Sequence, residues 1–404
     1  MEFGPILRSL LRNKTGALLI ALQIMVTLTV IVNAIYIIQE RSQHMTKPSG
    51  LDEANITHIL SIGYGESFNA EATTDNDLRV LRGMTGVADA TVINAIPVSS
   101  SGSSNGYMVE PGRLELAVMA AQYRSDDHAI STMGLELIAG ENFSPNEIVR
   151  HEPGTARTDT SVIVTRAMAE ALYPDDAAET TIGRIFYAAD DTALQIKGIV
   201  ERLQVPWPSA DFAENSVIYP EIELDGGNYY LVRHEPGYRD ENLPRVEETL
   251  AAQNDTRVLR ENQTFEQTRT ITFIPDNAMT SILSIVVSIL MFITGLGIVG
   301  LAVFTINRRR RQIGTRRALG AGHIQILRYF LVENFVISTV GVIFGAIMTV
   351  ALNMFLVNNF DLAPLQWYFV PAGMAVLLVL GQLAVVGPAW RASRMSPATA
   401  TRNI

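Results

Sequence analysis

Four stretches of this chain carry almost no charge. Thr15 to Gln39 has no charged residue over 25 positions, Asn277 to Asn307 none over 31 and Leu362 to Trp390 none over 29, while Tyr329 to Phe360 has only Glu333 over 32. A helix needs roughly 20 consecutive apolar residues to cross the hydrocarbon core of a bilayer, where every backbone amide must bond within its own segment. Each stretch is therefore read as a spanning helix. Hydrophobic residues make up 48% of the 404 positions, and the mean hydropathy is +0.19. Those values are high for a soluble protein and low for one made mostly of spans. The fold class that follows is membrane α-helical, with four transmembrane helices at 15–39, 277–307, 329–357 and 367–390. A large extracytoplasmic α+β domain at 40–276 is inserted between the first two. The remainder is an N-terminal segment at 1–14, a cytoplasmic loop at 308–328, a short extracytoplasmic loop at 358–366 and a C-terminal tail at 391–404.

The net charge of -10 is the sum of two unlike parts. Ser42 to Pro275 holds 36 acidic and 17 basic residues, a net of -19, and the rest of the chain holds 5 acidic and 14 basic, a net of +9. An acidic insert is a poor surface for nucleic acid, so no nucleic-acid partner is expected. The basic residues lie before the first span (Arg8, Arg12, Lys14), after the second (Arg308 to Arg311), before the third (Arg316, Arg317, Arg328) and after the fourth (Arg391, Arg394, Arg402). Lys and Arg mark cytoplasmic loops. Both termini are then cytoplasmic and the insert is outside. The first span is too long for a cleaved signal sequence and lacks a small-residue cleavage site after it, so it reads as an anchor. No cysteine occurs. The 234-residue insert must therefore stand on its own core without disulfides.

Within the N-terminal segment, Ile6, Leu7, Leu10 and Leu11 can share one face of a short helix, with Arg8 and Arg12 on the other, a pattern that lies in the headgroup plane. In the insert, Ile56 to Ile62 is a candidate strand, Thr74 to Arg82 a helix and Leu116 to Tyr123 a strand. SSSGSSNG at Ser99 to Gly106 reads as a mobile low-complexity loop. SVIVTRAMAEALYP predicts a buried strand at Val162 to Val164, an N-cap at Thr165 and a helix from Arg166 to Leu172 that Pro174 helps to stop. Strands are expected within Thr181 to Tyr187 and Leu194 to Glu201. Tyr229 to His234, Leu243 to Gln253 and Arg257 to Leu259 then make a strand, helix and strand. Pro275 argues against a straight helix running from the insert into the second span.

Several motifs carry no chemistry in their context. Gly295 to Gly300 matches G-x-G-x-x-G, but it lies inside an uncharged span with no strand before it, so Gly297 and Gly300 are read as helix-packing residues, like Gly341 and Gly345 in the third span. Gly102 to Gly106 matches G-x-S-x-G within a serine-rich run that lacks the strand and helix of a nucleophile elbow. HEPG occurs at His151 to Gly154 and His234 to Gly237, where Pro-Gly predicts a surface type II turn. Six scattered histidines and no cysteine give no metal site by spacing. None of the three lysines, Lys14, Lys47 and Lys197, follows a glycine, so these residues contain no P-loop. Glu333 is the one ionisable residue in a span, and it can reach the cytoplasmic interface or pair with an arginine there.

Asn307 to Ile337, NRRRRQIGTRRALGAGHIQILRYFLVENFVI, joins the second and third spans. Ile313, Arg316, Arg317 and Leu319 can share a short amphipathic helix, and Gly320 and Gly322 supply the turn back to the membrane. This run resembles the hallmark loop of the MacB/FtsX family of ABC-transporter permeases: a basic segment, I-G, an R-x-L-G-A turn and a downstream L-x-E. GPAWRASRMSPATATR at Gly387 to Arg402 is similar to the family's other signature, P-A-x-R-A-S-x-x-x-P-x-x-A.

The resemblance implies a permease, not an enzyme, that binds no cofactor itself. Mg-ATP would sit in two separate ABC ATPase subunits docked beneath, and a second permease, identical or paralogous, would complete the assembly. Ile313, Gly314, Arg316, Arg317, Ala318, Leu319 and Gly320 would couple to the ATPase, the apolar ones filling a groove on it, while Arg308 to Arg311 anchor the topology. The N-terminal helix would lead into the first span, and the insert would be one lobe interrupted by a second. ATP-driven closure would then move the outer domain by mechanotransmission in a cell inner membrane. Three roles fit such a scaffold: export of a peptide, antibiotic or other small amphiphile with a periplasmic adaptor and outer-membrane channel; lipoprotein or lipid extraction, as in the similar LolC and LolE permeases; and FtsX-like signalling to cell-wall hydrolases. FtsX outer domains are typically much smaller than this insert.

Overall fold

In the computed structural model, residues 14–152, 160–224, 226–360 and 364–395 are described. The expected N-terminal helix, Pro153 and Gly154, and most of the C-terminal tail lie outside them. The chain divides into two compact units, Met1–Gln43 with Asp276–Ile404, and His44–Pro275.

The first unit is a helical bundle. Four helices are long and apolar enough to cross a membrane: α1 (Lys14–Thr46), α7 (Ile274–Arg308), α9 (His323–Phe360) and α10 (Phe369–Ser393). The first three outrun the expected spans at both ends, and α10 runs past its expected end at 390 to Ser393. A helix continues past the hydrocarbon edge as long as its side chains favour it, so charge marks the water boundary and not the helix end. Asp276 near the start of α7 pairs with Arg41 on α1. In the bundle interior, Ile24, Leu28, Val32, Ile298, Phe330, Leu377 and Val385 form one buried apolar cluster.

Small residues let these helices approach. A side chain on Gly341 would meet the Ala21 carbonyl oxygen and Ile24 at 2.9 Å, and one on Gly345 would meet Leu28 at 3.0 Å. That proximity brings polar side chains of α1 to backbone acceptors of α9: Thr29 Oγ1 donates to the Gly345 carbonyl at 3.4 Å and Asn33 Nδ2 to the Thr349 carbonyl at 3.3 Å. Gly297 closes on Gln23, whereas nothing lies within 4 Å of a side chain built at Gly300. Gly300 thus makes no close approach of the kind seen at Gly297, Gly341 and Gly345.

The second unit is the inserted α+β domain, built as a split lobe around a second one. β1 (Ile56–Gly63), α2 (Ala70–Arg82) and β2 (Val87–Ile93) form its first half; β12 (Gly227–His234), α5 (Arg239–Gln253) and β13 (Arg257–Thr264) form its second. The four strands pair in the order β13-β1-β12-β2, antiparallel throughout. Each half is thus a strand, helix, strand unit, and the two interleave as a split βαβ sheet. Arg257 and Asp77, both fully buried, pair between β13 and α2, and the same guanidinium donates to the Leu250 carbonyl at the end of α5. One cation thereby fastens both helices to the sheet.

The chain between β2 and β12 folds as β3 (Ser103–Met108), β4 (Val118–Arg124), α3 (Ala129–Met133), β5 (Leu137–Gly140), β6 (Val149–His151), β7 (Thr160–Thr165), α4 (Arg166–Leu172), β8 (Ile185–Ala188), β9 (Ala193–Val200), β10 (Ser216–Tyr219) and β11 (Glu221–Glu223). Seven strands pair in the order β5-β9-β7-β10-β4-β3-β8, and β8 also pairs with β9. The sheet closes on itself. Along β7, Val162 and Val164 point into one core with Tyr107, Phe186 and Val217, while Ile163 points to the other with Tyr123, Ile218, Leu231 and Phe265. Burial on both faces explains the unbroken apolar run VIV. The second core contains residues of both sheets, so the two lobes pack as one body.

Thr165 caps α4 as expected, its Oγ1 accepting the Met168 amide at 3.3 Å. Two expectations fail. Of the loop expected at Ser99 to Gly106, Ser103 to Gly106 belongs instead to β3, because pairing to β4 satisfies a backbone whose serines alone have no strand preference. The second HEPG does form a turn, with Gly237 at φ 92° and the Tyr238 amide donating to the Glu235 carbonyl at 3.1 Å. Its His234, however, is buried at the end of β12 and not on the surface. α6 (Phe265–Thr272) stops one residue short of α7, and Pro275 sits in the first turn of α7, where its missing amide costs nothing.

His234 Nε2 lies 2.8 Å from Thr57 Oγ1, and His58 Nε2 2.6 Å from Thr268 Oγ1. Burial lowers both imidazoles from 6.5 to about 4, with Arg239 adding to the effect at His234. The folded state prefers the neutral ring, so its stability is complete above pH 6.5 and falls as the unfolded state takes up protons down to about pH 4. For His58 the loss is on the order of 2–3 kcal/mol at pH 4. Thermal unfolding of the full chain in detergent between pH 7 and 4.5 should show this slope, and His58→Gln should flatten it. An equal slope in the variant would exclude His58 as its source.

Candidate functional site

The loop between α7 and α9 contains a nine-residue helix, α8 (Arg310–Ala318). A helix this short is marginal by itself in water. It is held instead by contacts to the bundle. Ile313, 5% exposed, packs into the apolar cluster that contains Ile306, Ile326 and Phe330, and Gly314 beside it is buried. The apolar face of α8 thus meets its own membrane helices, and Ile313, expected to face a groove on an ATPase, is buried within this chain.

The helix ends in a Schellman turn. Gly320 takes φ 94°, a conformation that glycine adopts without a steric penalty. Its amide donates to the Arg317 carbonyl at 3.1 Å, and the Ala321 amide donates to the Arg316 carbonyl at 3.0 Å. Two residues later Gln325 Oε1 accepts the Gly322 amide at 3.1 Å, which caps the start of α9. A turn pinned at both ends projects its side chains outward. Leu319 is 83% exposed and Ile324, which the sequence reading did not single out, is 76% exposed. Ile324 was missed because it falls on the i, i+3 pattern of the following span, where an isoleucine is unremarkable.

The arginines divide by contact. Arg309 donates to Glu333 Oε2 at 2.9 Å and to the Tyr329 hydroxyl at 3.2 Å, so the intramembrane carboxylate is paired from the α7–α8 junction. Arg309 is thus more than a topology anchor. Arg316 lies over the Tyr329 ring at 5.1 Å and is otherwise exposed, as is Ala318. Arg317 stands beside His323, whose Nδ1 donates to the Ser393 carbonyl at 2.6 Å and ties the start of α9 to the end of α10. Asn334, one residue after Glu333, donates to the Gly381 carbonyl at 3.0 Å. The loop, α9 and α10 are therefore joined by charge-assisted and backbone hydrogen bonds at one membrane face.

Removing one member of a buried ion pair strands the other and costs about 3–5 kcal/mol, while an apolar replacement of both costs far less. Arg309→Ala should thus lower the melting temperature of the detergent-solubilised chain further than Arg309→Ala with Glu333→Leu. Equal melting temperatures would exclude a stabilising pair. Among the glycines, Gly345→Leu should impair folding and Gly300→Leu should leave the monomer's melting temperature unchanged.

Comparison with known proteins places this loop within a matched region. Residues 284–397 match the model of the FtsX-like permease C-terminal family. The chain is 30% identical over 124 residues to the pyoverdine export ATP-binding/permease protein PvdT of Pseudomonas syringae pv. tomato, covering 31% of this chain and 19% of that protein. It is 24% identical over 285 residues to the macrolide export ATP-binding/permease protein MacB of Campylobacter jejuni subsp. jejuni, covering 65% of this chain and 42% of that protein. The matches thus span less than half the length of these relatives. The periplasmic region of MacB from Actinobacillus actinomycetemcomitans superposes with a TM-score of 0.35 at 13% identity, covering 56% of this chain and 97% of that one. The extracellular domain of YknZ from Gram-positive bacteria gives 0.32 at 12%, covering 51% and 100%. The chain has four membrane-capable helices, and its match to the FtsX-like permease C-terminal family runs through the last three of them.

Proposed function

We propose that this chain couples ATP hydrolysis by a separate pair of ABC ATPase subunits to a conformational change of the inserted domain, and that the work drives export of a peptide, antibiotic or other small amphiphile. The reading rests on one observation: the turn after α8 presents Leu319 and Ile324 almost fully exposed beside basic residues on the side of the bundle that faces the cytoplasm by the arginine distribution. Large apolar side chains held outward by a pinned turn are typical anchors for a groove on a partner. Mg-ATP binds in that partner, and closure of the two ATPase subunits displaces the turn.

Leu319, Ile324 and the exposed Arg316 would make the contact, with Gly320 setting the turn and Ala318 allowing close approach. Ile313, Gly314, Arg309 and Glu333 then carry the load into α7 and α9. The relatives named for pyoverdine and macrolide export favour an export role over lipoprotein extraction or signalling. A second permease would complete the membrane assembly in a cell inner membrane, with the inserted domain periplasmic and available to an adaptor and outer-membrane channel.

Burying a leucine contributes about 1.5–3 kcal/mol. Leu319→Asp should therefore leave membrane insertion intact and reduce co-purification of the ATPase by roughly tenfold or more. Retained ATPase binding with normal turnover would overturn the assignment. A mild-detergent pull-down that keeps the permease dimer but recovers no ATPase would leave a four-span receptor as the better reading.

A further inference from the structure

A groove of about 1070 Å³ opens on the bundle where the last turns of α9 meet the start of α10, at the membrane face opposite α8. Ile347, Val350 and Met354 form its wall, and Leu365 and Trp367 its upper rim. The first three are exposed although apolar, as expected for residues facing lipid. From Ile347 to Val357 the wall rises about 15 Å, the depth of one leaflet's hydrocarbon. Trp367, 81% exposed, stands at the end where an interfacial indole belongs.

Two asparagines line this otherwise apolar groove, Asn358, which is exposed, and Asn353. Asn353 is 7% exposed, and its Oδ1 accepts the Leu365 amide at 3.1 Å, which fixes the amide group's orientation. Its Nδ2 is buried without a hydrogen-bond partner. An unsatisfied donor in hydrocarbon is costly, because no water is there to serve it. Asn353 lies within about one helical turn of the end of the span. At that depth in a leaflet the available acceptors are the ester carbonyls that join acyl chains to glycerol.

We propose that this groove binds one diacyl phospholipid of the adjacent leaflet, an acyl chain lying against Ile347, Val350 and Met354 and an ester carbonyl accepting a hydrogen bond from Asn353 Nδ2. The site is independent of the ATPase-docking turn and stands whether or not that turn docks an ATPase.

An ether-linked phospholipid has the same chains and headgroup but lacks the carbonyl, so it tests the bond directly. Trp367 is the probe once the other tryptophans, Trp207 and Trp390, are replaced by Phe. The full chain would be reconstituted in vesicles of dioleoyl phosphatidylcholine carrying increasing fractions of either ester- or ether-linked phosphatidylcholine with brominated chains. One net hydrogen bond predicts that the ester lipid quenches with roughly 2- to 10-fold higher relative affinity. Asn353→Leu should abolish that preference while leaving quenching by both lipids. Equal affinities for the two lipids in the parent chain would overturn the proposal without need of the variant. So would quenching by neither lipid together with a Trp367-to-Trp367 proximity signal, which would mean that a second copy covers the groove.

Discussion

The hydrocarbon core of the membrane offers no water, and that constraint shapes every polar choice in the bundle. Most of the buried polar side chains described in the bundle find a partner on their own helix or a neighbour. Thr27 and Thr294 meet at 2.7 Å across α1 and α7, Thr349 donates to the Gly345 carbonyl one turn back, and Asn33 donates to the Thr29 carbonyl and reaches Thr349. The bond from Asn33 to the Thr349 carbonyl depends on Gly341 and Gly345, whose missing side chains let α1 and α9 come close enough for side chain to meet backbone. Packing and polar satisfaction are therefore a single property of one helix face.

The inserted domain solves a different problem, that of standing in water without disulfides. It does so by burying both faces of its central strands and by closing the larger sheet through the β8–β9 pairing, which leaves fewer open edges. Lys197 and Glu147 show the electrostatic side of this construction. The ammonium and the Ser144 amide together hold the carboxyl down to about 2, so this contact is kept above about pH 4.5 and weakens as pH falls toward 2. The buried histidines respond in a higher window, between pH 6.5 and 4. Acid should therefore weaken the βαβ sheet before it releases the Lys197 contact.

How much of this could be read from the sequence depends on whether the deciding interaction is local. The four spans were legible because charge avoidance over 25 residues or more is a property of the segment itself. The Thr165 cap and α4 were legible for the same reason: the capping oxygen and the amide it serves are three residues apart. Ser103 to Met108 was not, since its strand state is conferred by β4 and β8 across long separations. In the loop, the Gly320 turn followed from glycine's freedom at positive φ, but the direction of the apolar face did not. An amphipathic pattern reports that Ile313 must be buried and says nothing about whether its own chain or a partner buries it. Pairing of Glu333 with some arginine was expected; that Arg309 supplies it depends on how α7 meets α9.

The burial of Ile313 bears on how a short helix can act as a lever. If α8 docked through its whole apolar face, leaving the partner would expose that face, and nine residues could not keep their helical form in water. With Ile313 seated in the bundle, Arg309 bonded to Glu333 and Tyr329, and Arg316 over the Tyr329 ring, α8 is ordered before any partner arrives. On the proposed coupling, the tip, Leu319 and Ile324, together with the exposed Arg316, is left for docking. On the coupling reading, this division has a mechanical consequence. A displacement applied at the tip reaches α7 and α9 through contacts that already exist, so little binding energy is spent on ordering the helix and most is available to shift the membrane helices.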